Sequence, residues 1–518
     1  MNKKILLTLI TLLPLLLLVV IAFLLFLLTK KSVVEAPTQA NVPIATIETS
    51  ATTSTPTVVK ESVTPTPSPR TTETTRATSA AQTPVTQKFL LPSTPAPTSN
   101  LTPTPNPTTA TTPTPPKIIQ QSQSTANLCE GLVTDKSAHK MSAISAPAKG
   151  QAITDPEFGT TIRRITAVST SEGENAIIVP MYGTIQAWNA DETKLILYHR
   201  GNGHELYDGR TYAFIKKLSL ESPTDFEHIV WDPTDPDTLY YPSNYNAKPR
   251  FMKYSVSAGK NTVVKEFDFC PTDWGKLLSF GSDPMTMSLV NPDKIVGLTC
   301  GTTKFMYSIS KDKVLGTRTL ATENAPMPGL AGEAAYVDGT IYDMNLNVLR
   351  TLALGNSNEH ASIGYSPASG HSVYVASAFD PAPGQTEAAT VGSLTVHDMV
   401  TGAFKVIIGM ATGYPYPKGT THISAIAYKN PAWVAVSSVG NGDGQSLLDG
   451  ELLLANIDSG LVCRVGHHHS QARNGPWGYW AEPHVVISPS GTRLLFGSDW
   501  GGGDSVDSYV VELPSYVR

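Results

Sequence analysis

Four histidines stand at like places in the chain, each just ahead of an apolar run: His228, His360, His422 and His484. The last three fall about 62 residues apart, and His228 lies about twice that distance before His360. Imidazole is the commonest side-chain ligand for divalent metals, and imidazoles from separate segments can converge on one ion, with carboxylate or water completing the shell. An ion held in this way can polarise a substrate carboxylate and acidify the adjacent C–H, which is the chemistry of β-elimination. The competing reading is structural. A histidine that recurs with a repeat can cap it, satisfying buried backbone groups each time. A second group of chemistry-bearing residues lies in the loop "RNGPWGYWAEPH" (473–484), where Trp477, Tyr479 and Trp480 offer faces to sugar rings or a peptide. The same aromatics equally suit packing between neighbouring sheets.

The elements that must position these residues are short strands. After Ala126, runs of four to seven β-branched and aromatic residues are broken by Gly, Pro, Asn and Asp every 8–12 residues or so, and no long amphipathic pattern intervenes. "EHIVWDPTDPDTLYYPS" (227–243), "EHASIGYSPASGHSVYVAS" (359–377) and "EPHVVISPSGTRLLFGSD" (482–499) share one order: acid, histidine, apolar strand, Pro-containing turn, apolar strand, small polar residues. "HISAIAYKNPAWVAVSS" (422–438) fits with a longer first run. "IQAWNADETKLILYHR" (185–200) and "MSLVNPDKIVGLTCG" (287–301) fit without the histidine. A period near 62 residues with two hairpin strands visible per unit predicts an all-β fold, a β-propeller. With a weaker unit at 333–354 the count is seven blades, six remaining compatible. The segment "GTTIRRIT" (159–166) supplies a candidate outermost strand for the last blade, closing the ring and removing open sheet edges.

This order of residues resembles the WD40-like and TolB-type propeller repeats, in which an "SPDG"-like turn precedes an "hhFhS" strand. "SPSGTRLLFGSD" matches best, "SPASGHSVYVAS" carries an inserted residue, and "DPTDPDTLYYPS" is looser. The resemblance covers about residues 155–514. In propellers the starts of the first strands and the loops between second and third strands share a face around the central channel. The four histidines then ring the channel mouth, with His199, His204, Glu205, Asp380, Asp443, Asp499 and Trp500 added by loops. That picture is similar to the oligogalacturonate lyases, seven-bladed propellers that hold a divalent metal with histidines and a glutamine. In that family the Gln precedes closely spaced histidines. Here "VGHHHSQ" puts His467, His468 and His469 before Gln471, so the order is reversed, and no residue is matched to the family's catalytic base.

Ahead of the repeats, Ile5 to Leu28 is an apolar run bracketed by Lys3, Lys4, Lys30 and Lys31. At ~1.5 Å per residue it spans roughly 36 Å, enough to cross a bilayer with some tilt. The expectation is a cytoplasmic tip and retained signal-anchor over 1–32, with the membrane as a partner. Residues 33–126 are dominated by Thr, Pro, Ser and Ala, too thinly apolar to offset the entropy of folding, and are expected to form a disordered, extended stalk. Residues 127–518 form the expected ectodomain, held outside the cell. Cys129, Cys270, Cys300 and Cys463 then lie in an oxidising compartment, where three pairings are open. Cys270–Cys300 with Cys129–Cys463 is the favoured one, unpaired buried thiols being the alternative.

A formal charge of −5 with no basic stripe excludes a nucleic-acid partner. No G-x-S-x-G, H-E-x-x-H or Walker-type loop is present. "HELYD" (204–208) lacks the second histidine of a zincin, and "GNGDGQSLLDGE" (440–451) lacks the EF-hand's sixth-position glycine. Three classes of function follow: a surface recognition module for glycan or protein, a metal-dependent polysaccharide lyase, and an envelope-assembly scaffold. A tethered propeller without a matched catalytic base fits the first and third better than an enzyme, and the first is the reading taken, with one divalent ion as a candidate cofactor.

Overall fold

The computed structural model describes residues 127–517, apart from 274–275, 283–287, 289–292, 357–359, 382, 386–390, 415–420 and 442. The expected anchor (1–32) and stalk (33–126) lie outside the described residues. Among the described residues no helix is long and apolar enough to cross a membrane.

The strands pair into seven antiparallel sheets. Blade one runs Ile178–Val179, Lys194–His199, Gly203–Asp208, Phe214–Lys217 from its first strand to its last. Blades two to six follow in chain order with the same four-strand plan, over 230–266, 278–319, 327–351, 361–408 and 421–467. Blade seven has five strands, in the order Ala152–Thr154, Thr161–Arg164, Asp507–Glu512, Arg493–Ser498, Val486–Ile487. The segment ahead of the first repeat therefore closes the ring, with Ile162 opposite Val511 and Arg164 opposite Tyr509. Sequence patterning missed the extra outer strand Ala152–Thr154, which is too short to alternate visibly.

Local chemistry explains the blade. In the last blade's Ser-Pro-Ser-Gly turn, the Gly491 N–H donates to the Ser488 carbonyl at 2.8 Å, and Gly491 takes φ +79°, which favours glycine. The second strands, such as Thr238–Ser243 and Arg493–Ser498, are buried throughout, because each inner strand is sandwiched between neighbouring sheets. Outermost strands such as Phe214–Lys217 are largely exposed. The core lies between blades: Trp188 and Leu195 of blade one pack with Trp433 and Leu454 of blade six and Leu494 and Phe496 of blade seven. Short polar side chains stitch the inner strands together. Ser362 Oγ accepts from the Ala425 N–H (3.0 Å) and Ser424 Oγ from the Ile487 N–H (3.1 Å). Gln186 Nε2 donates to the Ile426 and Ile487 carbonyls.

Both disulfides follow the favoured pairing, Cys129–Cys463 and Cys270–Cys300. The first ties the segment entering the propeller to blade six, where Val133 also bridges to Arg464. Arg464 is fully buried and grips Glu451 through two bonds of 2.7 and 2.6 Å while donating to the Ser137 carbonyl.

A buried histidine–carboxylate cluster at the channel mouth

Of the four repeat histidines the structure brings three together. His360 stands just before blade five, His422 in the first strand of blade six, and His484 just before blade seven. The rings of His360 and His422 stack at 4.7 Å, and those of His422 and His484 meet at 4.1 Å. Tyr182 from blade one closes the group, 5.5 Å from His422 and 5.3 Å from His484. Among them sits Glu482, with Oε2 3.4 Å from His422 Nε2 and 3.8 Å from His484 Nε2. His422, Glu482 and His484 are all buried.

One donor atom from each of these three lies within 4.8 Å of the others. Ligands bound at about 2.0–2.2 Å and tetrahedral angles stand about 3.4 Å apart, so a divalent ion fits with sub-ångström adjustment. Two imidazoles and a carboxylate suit zinc or manganese over calcium, which prefers an all-oxygen shell. His484 adopts φ +41°, and His469, Ala472 and Trp500 nearby in sequence also have positive φ. Strained non-glycine backbone of this kind persists only where surrounding structure over-determines it.

His228 does not join the cluster, a correction to the expected ring of four. It is buried in blade two, and its Nε2 lies 2.9 Å from the Gly281 carbonyl of blade three. Burial lowers its pKa, so the neutral ring can donate to that carbonyl. His228 thus fastens one blade to the next.

The residues expected on loops divide in the same way, and three of them, His199, His204 and Glu205, are strand residues of blade one instead. His199 is held between Glu205 (2.7 Å) and Glu172 (2.8 Å). His204 Nε2 is 2.7 Å from the Phe226 carbonyl, and burial lowers its pKa to about 4. Asp499 is buried, which raises its pKa, and it accepts from the Gln471 N–H at 2.8 Å. Trp500 stacks between His469 (4.4 Å) and Tyr509 (4.7 Å) and donates to the Ile144 carbonyl. Asp380 and Asp443 lie on exposed loops with local partners: Asp380 accepts from Asn356, and Asp443 from the Gln445 N–H. These residues hold loops and blades in place.

The aromatic loop is split three ways. Trp477 donates to the Gly503 carbonyl (2.8 Å) and packs on the core. Tyr479 lies 4.7 Å from His484, and its hydroxyl donates to Glu227 Oε1 at 2.6 Å. Lost hydration and then the Glu227 carboxylate raise its pKa. Trp480 forms a platform with Tyr198 and Phe226, which stack at 4.4 Å, while the Arg200 guanidinium lies 5.1 Å from the Trp480 ring. A short 3-10 turn, Gly478–Ala481, carries both Tyr479 and Trp480, so the platform adjoins the histidine cluster through consecutive residues.

No family model and no curated protein matches the sequence. Among solved structures, an oligogalacturonate lyase in complex with manganese aligns at 15% identity with a TM-score of 0.48, over 71% of this chain and 99% of that one. An oligogalacturonate lyase from Vibrio parahaemolyticus aligns at 15% identity and a TM-score of 0.47, with the same coverage. The similarity is distant, and it is one of propeller fold.

The run His467–His469 is not one site. His468 is spent on backbone, with Nε2 3.1 Å from the Ser438 carbonyl and Nδ1 accepting from the Ser470 N–H. His469 stacks on Trp500, and His467 faces Asp155 and Glu157. Glu482, Tyr182 and the Asp155–Glu157 pair were the functional candidates that patterning missed. For Glu482 a signal existed: Pro483 sets the acid two residues before the histidine instead of one.

Proposed function

We propose that this protein is a surface-held recognition module for carboxylate-bearing saccharides, with a divalent ion at His422, Glu482 and His484 as the anchor. The observation that carries this reading is the buried two-histidine, one-carboxylate cluster beside an aromatic platform. The ion would supply an electrophile for an anionic oxygen, and His360 and Tyr182 would line the approach. Trp480, with Tyr198 and Phe226, would stack the next sugar ring. Arg200 beside Trp480 adds a positive charge suited to a second carboxylate. The chain's net charge of −5 gives an acidic polymer little general attraction, which leaves these local cations to select it. The apolar run Ile5–Leu28 and the Thr/Pro-rich segment support display of the propeller outside a membrane.

The test is calorimetric titration of the full-length chain with oligogalacturonate and with its methyl ester, with manganese and after chelation. Binding that needs both metal and free carboxylate is expected, weakened in Glu482→Gln and Trp480→Ala. Equal binding of the ester, or binding indifferent to chelation, would sink the proposal. Absorbance of an unsaturated uronate in the same mixture would convert recognition into lyase turnover.

A further inference from the structure

We propose that Asp155, Glu157 and His467 hold a second divalent transition-metal ion, of the zinc type, which fastens the ring closure of the propeller to blade six. This site shares no residue with the channel mouth and does not depend on the function proposed for it.

His467 is the last residue of the outermost strand of blade six, Val462–His467, and is wholly buried. Neither of its ring nitrogens has a hydrogen-bond partner, and the same holds for Glu157 Oε2. The His139 backbone approaches the ring without hydrogen-bond geometry. Buried polar atoms are nearly always satisfied, so two orphaned imidazole nitrogens beside an orphaned carboxylate oxygen ask for a missing partner. Of the two nitrogens Nδ1 faces the carboxylates, 3.8 Å from Glu157 Oε2 and 3.9 Å from Asp155 Oδ2. All three donors lie within 4.8 Å.

The carboxylates are already fixed in place. Asp155 Oδ1 accepts from the Glu157 and Phe158 N–H groups (2.9 and 3.0 Å), and Oδ2 accepts from the His467 N–H (2.9 Å). Glu157 Oε1 accepts from the Ser142 hydroxyl. Ligands held by such outer contacts lose little freedom on binding an ion. Phe158 packs its ring edge against His467 at 5.0 Å and helps exclude water. Burial keeps the imidazole neutral, its pKa lowered to about 4, in the form that ligates metal. The nearest guanidinium, Arg464, is committed to Glu451 and to the Ser137 carbonyl. An imidazole with two carboxylates suits zinc or manganese, whereas calcium and magnesium seek oxygen alone.

The position gives the ion a task. Asp155 and Glu157 lie in the turn between Ala152–Thr154 and Thr161–Arg164, the two strands that the entering chain adds to blade seven. His467 belongs to blade six. An ion here would clasp the same junction that the Cys129–Cys463 disulfide secures from the other end of that strand.

The experiment is zinc content and thermal unfolding of the full-length chain, stripped with chelator and reloaded, for wild type, Glu157→Gln and Glu482→Gln. Glu157→Gln keeps the shape and the Ser142 bond while removing the charge. It is expected to lose one equivalent of zinc relative to wild type and to lose the rise in Tm on reloading. Glu482→Gln is expected to retain that rise. A folded Glu157→Gln protein with unchanged zinc content overturns the proposal. A zinc-edge anomalous map of wild-type crystals provides a check that needs no variant. Density between Asp155, Glu157 and His467 supports the site, and zinc-grown crystals without density there overturn it.

Discussion

Blade two and blade seven begin with nearly the same words, Glu227-His228 and Glu482-Pro483-His484, and put them to different uses. Glu227 and His228 close a turn, the His228 N–H donating to the Asp225 carbonyl, and they find different partners: the acid takes the Tyr479 hydroxyl and the histidine donates to the Gly281 carbonyl. Pro483 places Glu482 two residues from His484, and both converge on His422. The extra residue, together with the positive φ of His484, accompanies a cluster able to hold a cation where blade two has a fastening between blades. The repeat supplies the position, and what faces it decides the role.

The sharpest break of this comparison is to remove one ligand on each side. Losing an outer-shell partner of a metal typically costs about 10–100-fold in affinity, so losing a direct ligand in Glu482→Gln or His422→Ala should cost more than about 1,000-fold, near 4 kcal/mol. His228→Ala should leave manganese affinity unchanged by the same titration. A metal affinity that falls equally in both would merge the two regions into one.

A smaller effect separates fastening histidines by pH. Burial lowers the pKa of His204 and His468 to about 4. The unfolded chain binds their protons below about 6.5 and the folded chain does not, so their contribution is complete above about 6.5 and is lost as pH falls towards 4. For His204 this amounts to about 3 kcal/mol, and His204→Gln should flatten the denaturant midpoint between pH 6.5 and 4 by that share. An unchanged pH slope would contradict the assignment of His204 as a neutral fastening.

His228→Ala should lower stability by about 2 kcal/mol, because it leaves the Gly281 carbonyl buried without its donor. Chemical denaturation at neutral pH measures this, and a loss below a few tenths would remove the fastening role. The smallest effect belongs to the platform. Trp480→Ala should weaken saccharide binding about five- to tenfold, in the range of one lost aromatic contact, with metal affinity intact.

The propeller was legible because its signals are local and repeat. The Ser-Pro-Ser-Gly turn, the 62-residue spacing and the strand 159–166 each depend on a few neighbouring residues, and the structure carries seven blades closed by that strand. Three of the five residues of the channel-mouth cluster were legible for the same reason, since His360, His422 and His484 recur with the repeat. What stayed hidden depends on facing partners. His228 could be told from His484 only by knowing that Gly281 lies opposite one and Glu482 beside the other. The segment 127–150 has no periodicity because it borrows its order from blade six and the loops above it, through Cys129, Val133 and Met141. Tyr182 and Trp480 likewise acquire meaning only from rings that other blades bring to them.

The most direct test of the account is a manganese-edge anomalous difference map from crystals of the full-length chain grown with manganese and an oligogalacturonate. The account predicts a peak within about 2.2 Å of His422, Glu482 and His484, with a saccharide carboxylate completing the shell. A well-ordered cluster with no peak, or a peak only elsewhere, would make these residues another fastening between blades and contradict it.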